Sequence, residues 1–481
     1  MEVANRNIIQ KMVIDLKYTG QVDGFALQRD LGNWCNRDLV ARLEYLLDKV
    51  DTGKRVRIID RLDLEIDLSH KGDWLQALLT QIEDSMRQKL EGEEAWEESN
   101  SFTRYESPEH HFFESLIFFL EKGYLPWWSP LTNKEEFSTV LSVWVKETLS
   151  SDQKQRLIQL FTMSAAKERI ATHFTTEQYI SMIADFYAGQ IAEIRSLLQD
   201  TISLVTLVDP LRVTAAIIKF KELISEYAGY AGNGYPNEAL QHVADKLFLF
   251  IAAGKEMLLK NTEPGSAAMK RTITAATAVH ATESETEKTK IITNGKPLYP
   301  STSTGEKPAI IQEETAIESI YINNAGLIVI APFLPMFFRK LGLATEDKIT
   351  DTAMAVHLTA WLANGREDIA EFEMVLPKIL CGIMPETPVA TPARFMDEQR
   401  NEANELLLSV IEYWSILKDT TPQGLQESFL KRKGKLAFKS EEWHLMVEQQ
   451  PYDMLLQHLP WNISMIRLPW MTYMLKTEWI Y

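Results

Sequence analysis

The residues able to do chemistry are few and scattered. His110 and His111 offer two imidazoles to a metal ion. Neighbouring histidines on a helix point in different directions, however, and no cysteine or carboxylate cluster lies beside them to complete a tetrahedral set. A helix start or a surface pair is the plainer reading. Cys381, in KILCGIM, carries a nucleophile's sulfur, but no histidine is near it in sequence. It reads as an ordinary buried thiol. His357, with Trp361 one turn on, reads as packed against a helix face. GYAGNGYP at 229–236 has the glycines of a phosphate loop without its spacing or its Lys-Ser/Thr, and no strand pattern precedes it. No G-x-S-x-G or H-E-x-x-H occurs. The acidic run EGEEAWEE at 91–98 is a solvated segment. Arg55, Arg57 and Arg61 share one face of an alternating stretch. They suit an acidic partner, and equally suit pairing with the Asp and Glu beside them. No catalytic residue, cofactor or metal is assigned on these grounds, and no enzyme is expected.

The chain concentrates proline and tryptophan instead. Residues 460–471 read PWNISMIRLPWM, two Pro-Trp pairs around an apolar run. Proline cannot donate to a sheet ladder, and tryptophan brings a large apolar area with one N–H to satisfy. Two readings stand: a small sheet closing over a core, or a docking surface. Trp461, Pro469 and Trp470 are the candidate anchors. Phe333 and Pro335, in GLIVIAPFLPMFF at 326–338, join them.

The elements that must position these residues follow from periodicity. Residues 8–18 alternate, with Ile8, Met12, Ile14, Leu16 and Tyr18 on one face of an expected strand. Residues 25–50 carry a helical stripe closed by Gly53, and 55–68 alternate again. This predicts an N-terminal β-α-β unit over 1–70. Helical patterns fill 71–260, near 73–90, 108–122, 133–149, 152–163, 175–187, 190–206, 210–228 and 236–260. Residues 261–312, rich in Thr, Ser, Glu, Lys, Pro and Gly, read as a flexible linker. From 313 to 481 an α+β domain is expected. It has a buried strand at 326–330, helices at 332–343, 350–363, 368–383 and 396–418, and another opened by Thr421-Pro422. It ends in a small antiparallel sheet. The fold class is α+β, mostly helical.

Bulk properties narrow the class. The 481 residues are 45% hydrophobic and 10% aromatic, enough for two to four cores. A net charge of −17 argues against a nucleic-acid binder. Mean hydropathy is −0.17 and no apolar run reaches a membrane span, so membrane insertion is not expected. Two distant cysteines and an N-terminus without a secretion pattern favour a reducing cytoplasm.

The order of several long blocks is similar to a known family. IIQKMVIDLKYTGQVDGFALQRDLGNWCNRDLVARLEYLLDKV and RVRIIDRLDLEIDL stand at the start. NNAGLIVIAPFLPMFFRKLGL, AVHLTAWLANG, FEMVLPKILCGI, IEYWSILKDTTPQGLQESFLKRKGKL and QQPYDMLLQHLPWNISMIRLPWM follow in the second half. Over about 8–68 and 320–480 the chain resembles the contractile injection system tape measure family, with little resemblance between.

The resemblance implies a structural protein of a phage-tail-like particle, made in the bacterial cytoplasm and ending inside the particle. Its partners would be tube, baseplate or spike, and cap proteins. A homo-oligomer in the tube lumen fits the same picture. The family brings no catalytic residues. An adaptor or chaperone for tube or cargo, without a length-setting role, is the alternative; an enzymatic cargo is a third, which the missing catalytic constellation disfavours. A ruler also raises a physical tension. Laid straight, the helical middle would span roughly 280 Å at 1.5 Å per residue. Its turns and stripes read as a folded array.

Overall fold

A computed structural model of the chain describes residues 7–10, 12–17, 24–49, 55–66, 74–91, 103–187, 189–261, 319–390, 395–417 and 419–479. The expected linker, 261–312, lies outside them apart from Asn261.

The N-terminal unit is built on one amphipathic stripe. Helices α1 (Gly24–Trp34) and α2 (Val40–Leu47) are joined by a π-turn, Cys35–Leu39. Leu31, Trp34, Leu39 and Leu43 meet Leu78, Ile82, Met86 and Leu90 of α3 (Trp74–Glu91). A β-α-β order is present, made of β1 (Val56–Ile59), α3 and β2 (Thr103–Glu106). The two strands pair antiparallel, Val56 opposite Glu106. The expected strand at 8–18 is not formed among its described residues, and Ile8, Ile9, Met12, Val13 and Ile14 are exposed. The reason is visible in the segment. Ile9 and Val13 occupy the opposite parity to Ile8, Met12 and Ile14, so no single face is apolar and no register is favoured. Of the strand predicted over 55–68 only Val56–Ile59 forms, which leaves Arg55 and Arg61 outside it.

Eight helices then form an array: α4 (Pro108–Lys122), α5 (Lys134–Trp144), α6 (Ser151–Thr162), α7 (Ser164–His173), α8 (Thr176–Ile183), α9 (Ile191–Val208), α10 (Val213–Gly232) and α11 (Pro236–Asn261). Four of the starts, those of α4, α5, α6 and α8, are set by side chains that accept otherwise free backbone N–H groups. Ser107 takes His110 N at 3.1 Å, with Pro108 in the first turn. Ser150–Gln153 and Thr175–Gln178 are reciprocal capping boxes. Helix α7 was not anticipated. Its sequence, SAAKERIATH, has a weak apolar stripe because it buries Arg169 along with Ala166, Ile170 and Ala171. Helix α10 lies at the centre and touches α6, α7, α8, α9 and α11, its Ala216, Ala228 and Ala231 letting neighbours approach.

The second body runs from β3 (Ile320–Ile322) to β7. It holds helices α12 (Leu334–Lys340), α13 (Thr352–Asn364), α14 (Val375–Leu380), α15 (Asp397–Tyr413) and α16 (Pro422–Leu425), the last continued by a π-turn, Gln426–Leu430. Thr421 caps α16 by accepting Gly424 N at 3.1 Å, as its Thr-Pro pair predicted. Strands β4 (Gly434–Lys439), β5 (Glu442–Val447), β6 (Met465–Ile466) and β7 (Met474–Glu478) complete a sheet in the order β3-β4-β5-β7-β6. Its pairs are antiparallel except β5 with β7, which are parallel. The strand expected at 326–330 is a 3-10 segment, Ala325–Val329. Residues 325–331 are buried throughout, and a run covered on every side has no periodicity to separate strand from helix. Gly326 is held to its identity by contact: a Cβ there would lie 1.7 Å from the Phe429 carbonyl oxygen. No described helix is long and apolar enough to cross a membrane.

Candidate functional site

The Pro-Trp segment is seated on the second body. Trp461 Nε1 donates to the Val329 carbonyl at 2.9 Å, and its ring meets the edge of Phe333 at 5.0 Å. Trp470 Nε1 donates to the Leu380 carbonyl at 2.8 Å, its ring 5.6 Å from Phe338. Both indoles are half-buried against the same core. Pro469 is exposed and sits in a turn closed by Met471 N on the Leu468 carbonyl at 2.9 Å. Pro335 is in the first turn of α12, where a missing N–H costs nothing. Phe333 also reaches Tyr413, at 6.0 Å. The structure thus brings Trp461 and Phe333 together, and joins Trp470 to them through a shared core.

The arginines divide. Arg55 and Arg57 lie over the Tyr105 ring, at 4.7 and 5.8 Å, and Arg57 Nη1 donates to the Leu90 carbonyl at 3.1 Å. Arg61 pairs with Asp63 at 2.8 Å.

Arg432, in KRKGKL, belongs to a clasp that the sequence did not reveal. Its Nη2 meets Asp453 Oδ1 at 2.6 Å, with both side chains 2% exposed. Tyr452 and Trp479 line the guanidinium at 4.8 and 5.5 Å. Trp479 Nε1 and Gln450 N both donate to Asp453 Oδ2, at 2.9 and 2.8 Å. Every strong acceptor of the buried carboxylate is therefore used, as a buried charge requires.

A second buried ionic group joins the helical array to the second body. Glu371 Oε1 accepts from Lys378 Nζ at 2.6 Å and from Arg169 Nε at 3.1 Å. Arg169 and Lys378 side chains are fully buried and Glu371 is 3% exposed. Arg169 Nη1 donates to the Leu120 and Glu121 carbonyls, at 2.8 and 3.0 Å, and Nη2 donates to the Glu386 carbonyl. Lys378 also reaches the Pro385 carbonyl at 2.8 Å. The α4 C-terminus supplies partial negative charge to the surplus cation. His173 Nε2 stands 3.4 Å from Glu371 Oε2, within ion-pair range but off the hydrogen-bond line. Burial alone would raise the Glu371 pKa; His173, Lys378 and Arg169 outweigh it and hold the carboxyl below its usual value. Burial lowers the Lys378 pKa. Gly123 ends α4 in the left-handed region, φ 80°, and a Cβ there would meet Arg169 Nη2 at 2.6 Å. Arg169 and Glu371 are 202 residues apart, so no local pattern in one sequence pointed to the pair.

Two of the reactive-looking residues, Cys381 and His111, are packed away. Cys381 is buried, with its thiol pushed up to about 12 by desolvation. His111 is buried against Trp128, ring centroids 4.6 Å apart, while His110 is on the surface. Among the described residues no group of His, Cys, Asp and Glu is placed to hold a metal. The arrangement anchors segments to one another.

A family model described as contractile injection system tape measure protein matches residues 6–479. The match runs through the helical array, where sequence reading found little resemblance. Neither the curated proteins nor the solved structures gave a match.

Proposed function

The chain belongs to the contractile injection system tape measure protein family, and from that premise we propose that it sets the length of the particle's inner tube. Its place is inside the particle, with one end joined to baseplate or spike proteins and the other to cap proteins. A homo-oligomer in the lumen is part of the proposal. The observation that carries it is the unbroken reach of the family match over nearly the whole chain, both end units and the array between them. On this reading Trp461, Trp470, Phe333, Pro335 and Pro469 fix the second body's shape, so that its exposed neighbours Met336 and Tyr413 can face a partner. Arg55, Arg57 and Arg61 would face an acidic one.

The test is an insertion of twenty residues between 290 and 300, which leaves every described core untouched. Tubes of purified particles should lengthen by about 30 Å if the insert is helical. An extended insert would add roughly 66 Å. Uniform tubes of unchanged length would favour the adaptor or chaperone reading, to which the folded array also lends itself.

A further inference from the structure

The array and the second body each have an apolar core of their own. Few apolar residues cross between them. Phe118 and Tyr124 of the array join the second body's core, while Ala370 and Phe372 join the array's. Phe372 packs on Phe119 and Phe137, with ring centroids 5.5 Å apart in each case. Polar crossings among the described residues include the Arg169–Glu371–Lys378 group with His173, Lys134 with Asp368, Arg366 with Glu135 at 3.4 Å, and Asn323 with the Thr132 carbonyl at 3.4 Å. Covalently the two are joined through residues 262–318 alone.

An interface of this kind behaves differently from a core when it opens. Its charges regain their hydration, and a buried ion pair is worth little net against that gain. Cutting through either core would expose large apolar areas with nothing returned. The weakest plane in the array-plus-body structure therefore runs through the ionic group. The same group does not tolerate partial loss, because removing Glu371 leaves Arg169 and Lys378 buried side by side without a counter-charge.

We infer that Arg169, Glu371 and Lys378 form a release latch: breaking it parts the array from the second body while both cores stay folded. This inference does not depend on length setting. Opening would, however, give a folded chain a route to an extended one without unfolding each part first.

The experiment uses the full chain in a Cys35→Ser background, spin-labelled at Ser203→Cys on α9 and Asn404→Cys on α15, both exposed positions. Pulsed electron resonance should give a narrow distance distribution for the parent. Glu371→Gln should broaden it toward longer distances, and hydrogen exchange should show α10 and α15 still protected. Lys134→Glu, a surface change at the rim that spares the cores, should shift the distribution the same way. A short bis-maleimide bridge between Lys134→Cys and Asp368→Cys, added to Glu371→Gln, should restore the narrow distance, measured with an orthogonal label pair at the same two reporter sites. Unchanged distances in both charge variants would overturn the latch. So would joint loss of protection in α10 and α15, or a bridge that forms without restoring the distance. If inserts fail to alter tube length, the ruler reading falls and the latch result is unaffected.

Discussion

Trp461 gives its one N–H to a carbonyl 132 residues away, and that bond fixes its indole against Phe333. Truncating a buried tryptophan costs about 3–5 kcal/mol, and a half-buried one belongs at the lower end. Trp461→Ala should therefore lower the melting temperature of the second body and leave the array's unchanged, by calorimetry. Trp461→Phe keeps most of the area but leaves the Val329 carbonyl unpaired, so it should cost only about 1 kcal/mol. A Trp461→Phe variant as stable as the parent would refute the hydrogen bond's separate contribution. His357 provides a pH dependence. Burial pushes its pKa from 6.5 down to about 4, against the Ala390 carbonyl, which favours the charged form. The unfolded chain takes up this proton near pH 6.5 and the folded chain only near 4, so stability is full above 6.5 and falls through that window. The fall should approach about 3 kcal/mol, from 1.36 kcal/mol per unit. His357→Gln should flatten the slope in melts between pH 7 and 4.5; a slope identical to the parent's would exclude His357 as its source. Residues of this kind differ in how well sequence reveals them. Trp461 and Trp470 drew notice because tryptophan beside proline is informative alone. Arg169, Glu371, Arg432 and Asp453 look like any surface charges until the fold brings them together.

Among the elements, helices with a clear period or a clear cap were legible, whereas alternation at 8–18 and 55–68 yielded only Val56–Ile59 as strand, and the segment buried all round was misread. Thr421-Pro422 opens α16 as its side-chain chemistry dictates, and Gly342 follows α12 with φ 69°. Ala325–Val329 hid because burial on every side erases the polar face that marks a helix, and α7 because its buried face includes Arg169, which breaks the apolar stripe. The parallel pairing of β5 and β7 was illegible because it depends on which strands the sheet brings together. Helix α10 gives the element-scale prediction. It touches five other helices of the array, and Ala228 in its last turns is fully buried. A proline there removes a hydrogen bond and clashes with the preceding turn, at a cost of about 3 kcal/mol or more. Ala228→Pro should abolish exchange protection across α6 to α11 while α13 and α15 keep theirs. Protection lost equally in both parts would mean that the array and the second body are one cooperative unit.

At the scale of the molecule, the array and the second body, each with its own apolar core beside that of the N-terminal unit, should melt in separate steps. Leu157, fully buried in the array, and Leu407, fully buried in the second body, report on one core each. Leu157→Ala and Leu407→Ala should each cost about 2–5 kcal/mol and move different calorimetric transitions. A single transition shifted by both would contradict the two-core description. What composition and periodicity missed was the traffic across the divide, because Phe372 and Tyr124 carry no mark of serving the other part's core.

The position of β7 has a bearing on how the protein is made. Residues 474–478 come last in chain order among the described strands, yet they lie inside the sheet, between β5 and β6. A ribosome adds about 5–20 residues per second, so the array has emerged and had time to fold well before β7 exists. Until then β5 presents an open edge, and Asp453 waits for the Trp479 N–H. The second body is thus completed only after translation has passed its final strand. A prematurely terminated product would carry a finished array beside an unfinished sheet with an exposed edge, the kind of species that quality control removes. Synthesis beyond β7 is thus a condition for closing the second body's sheet.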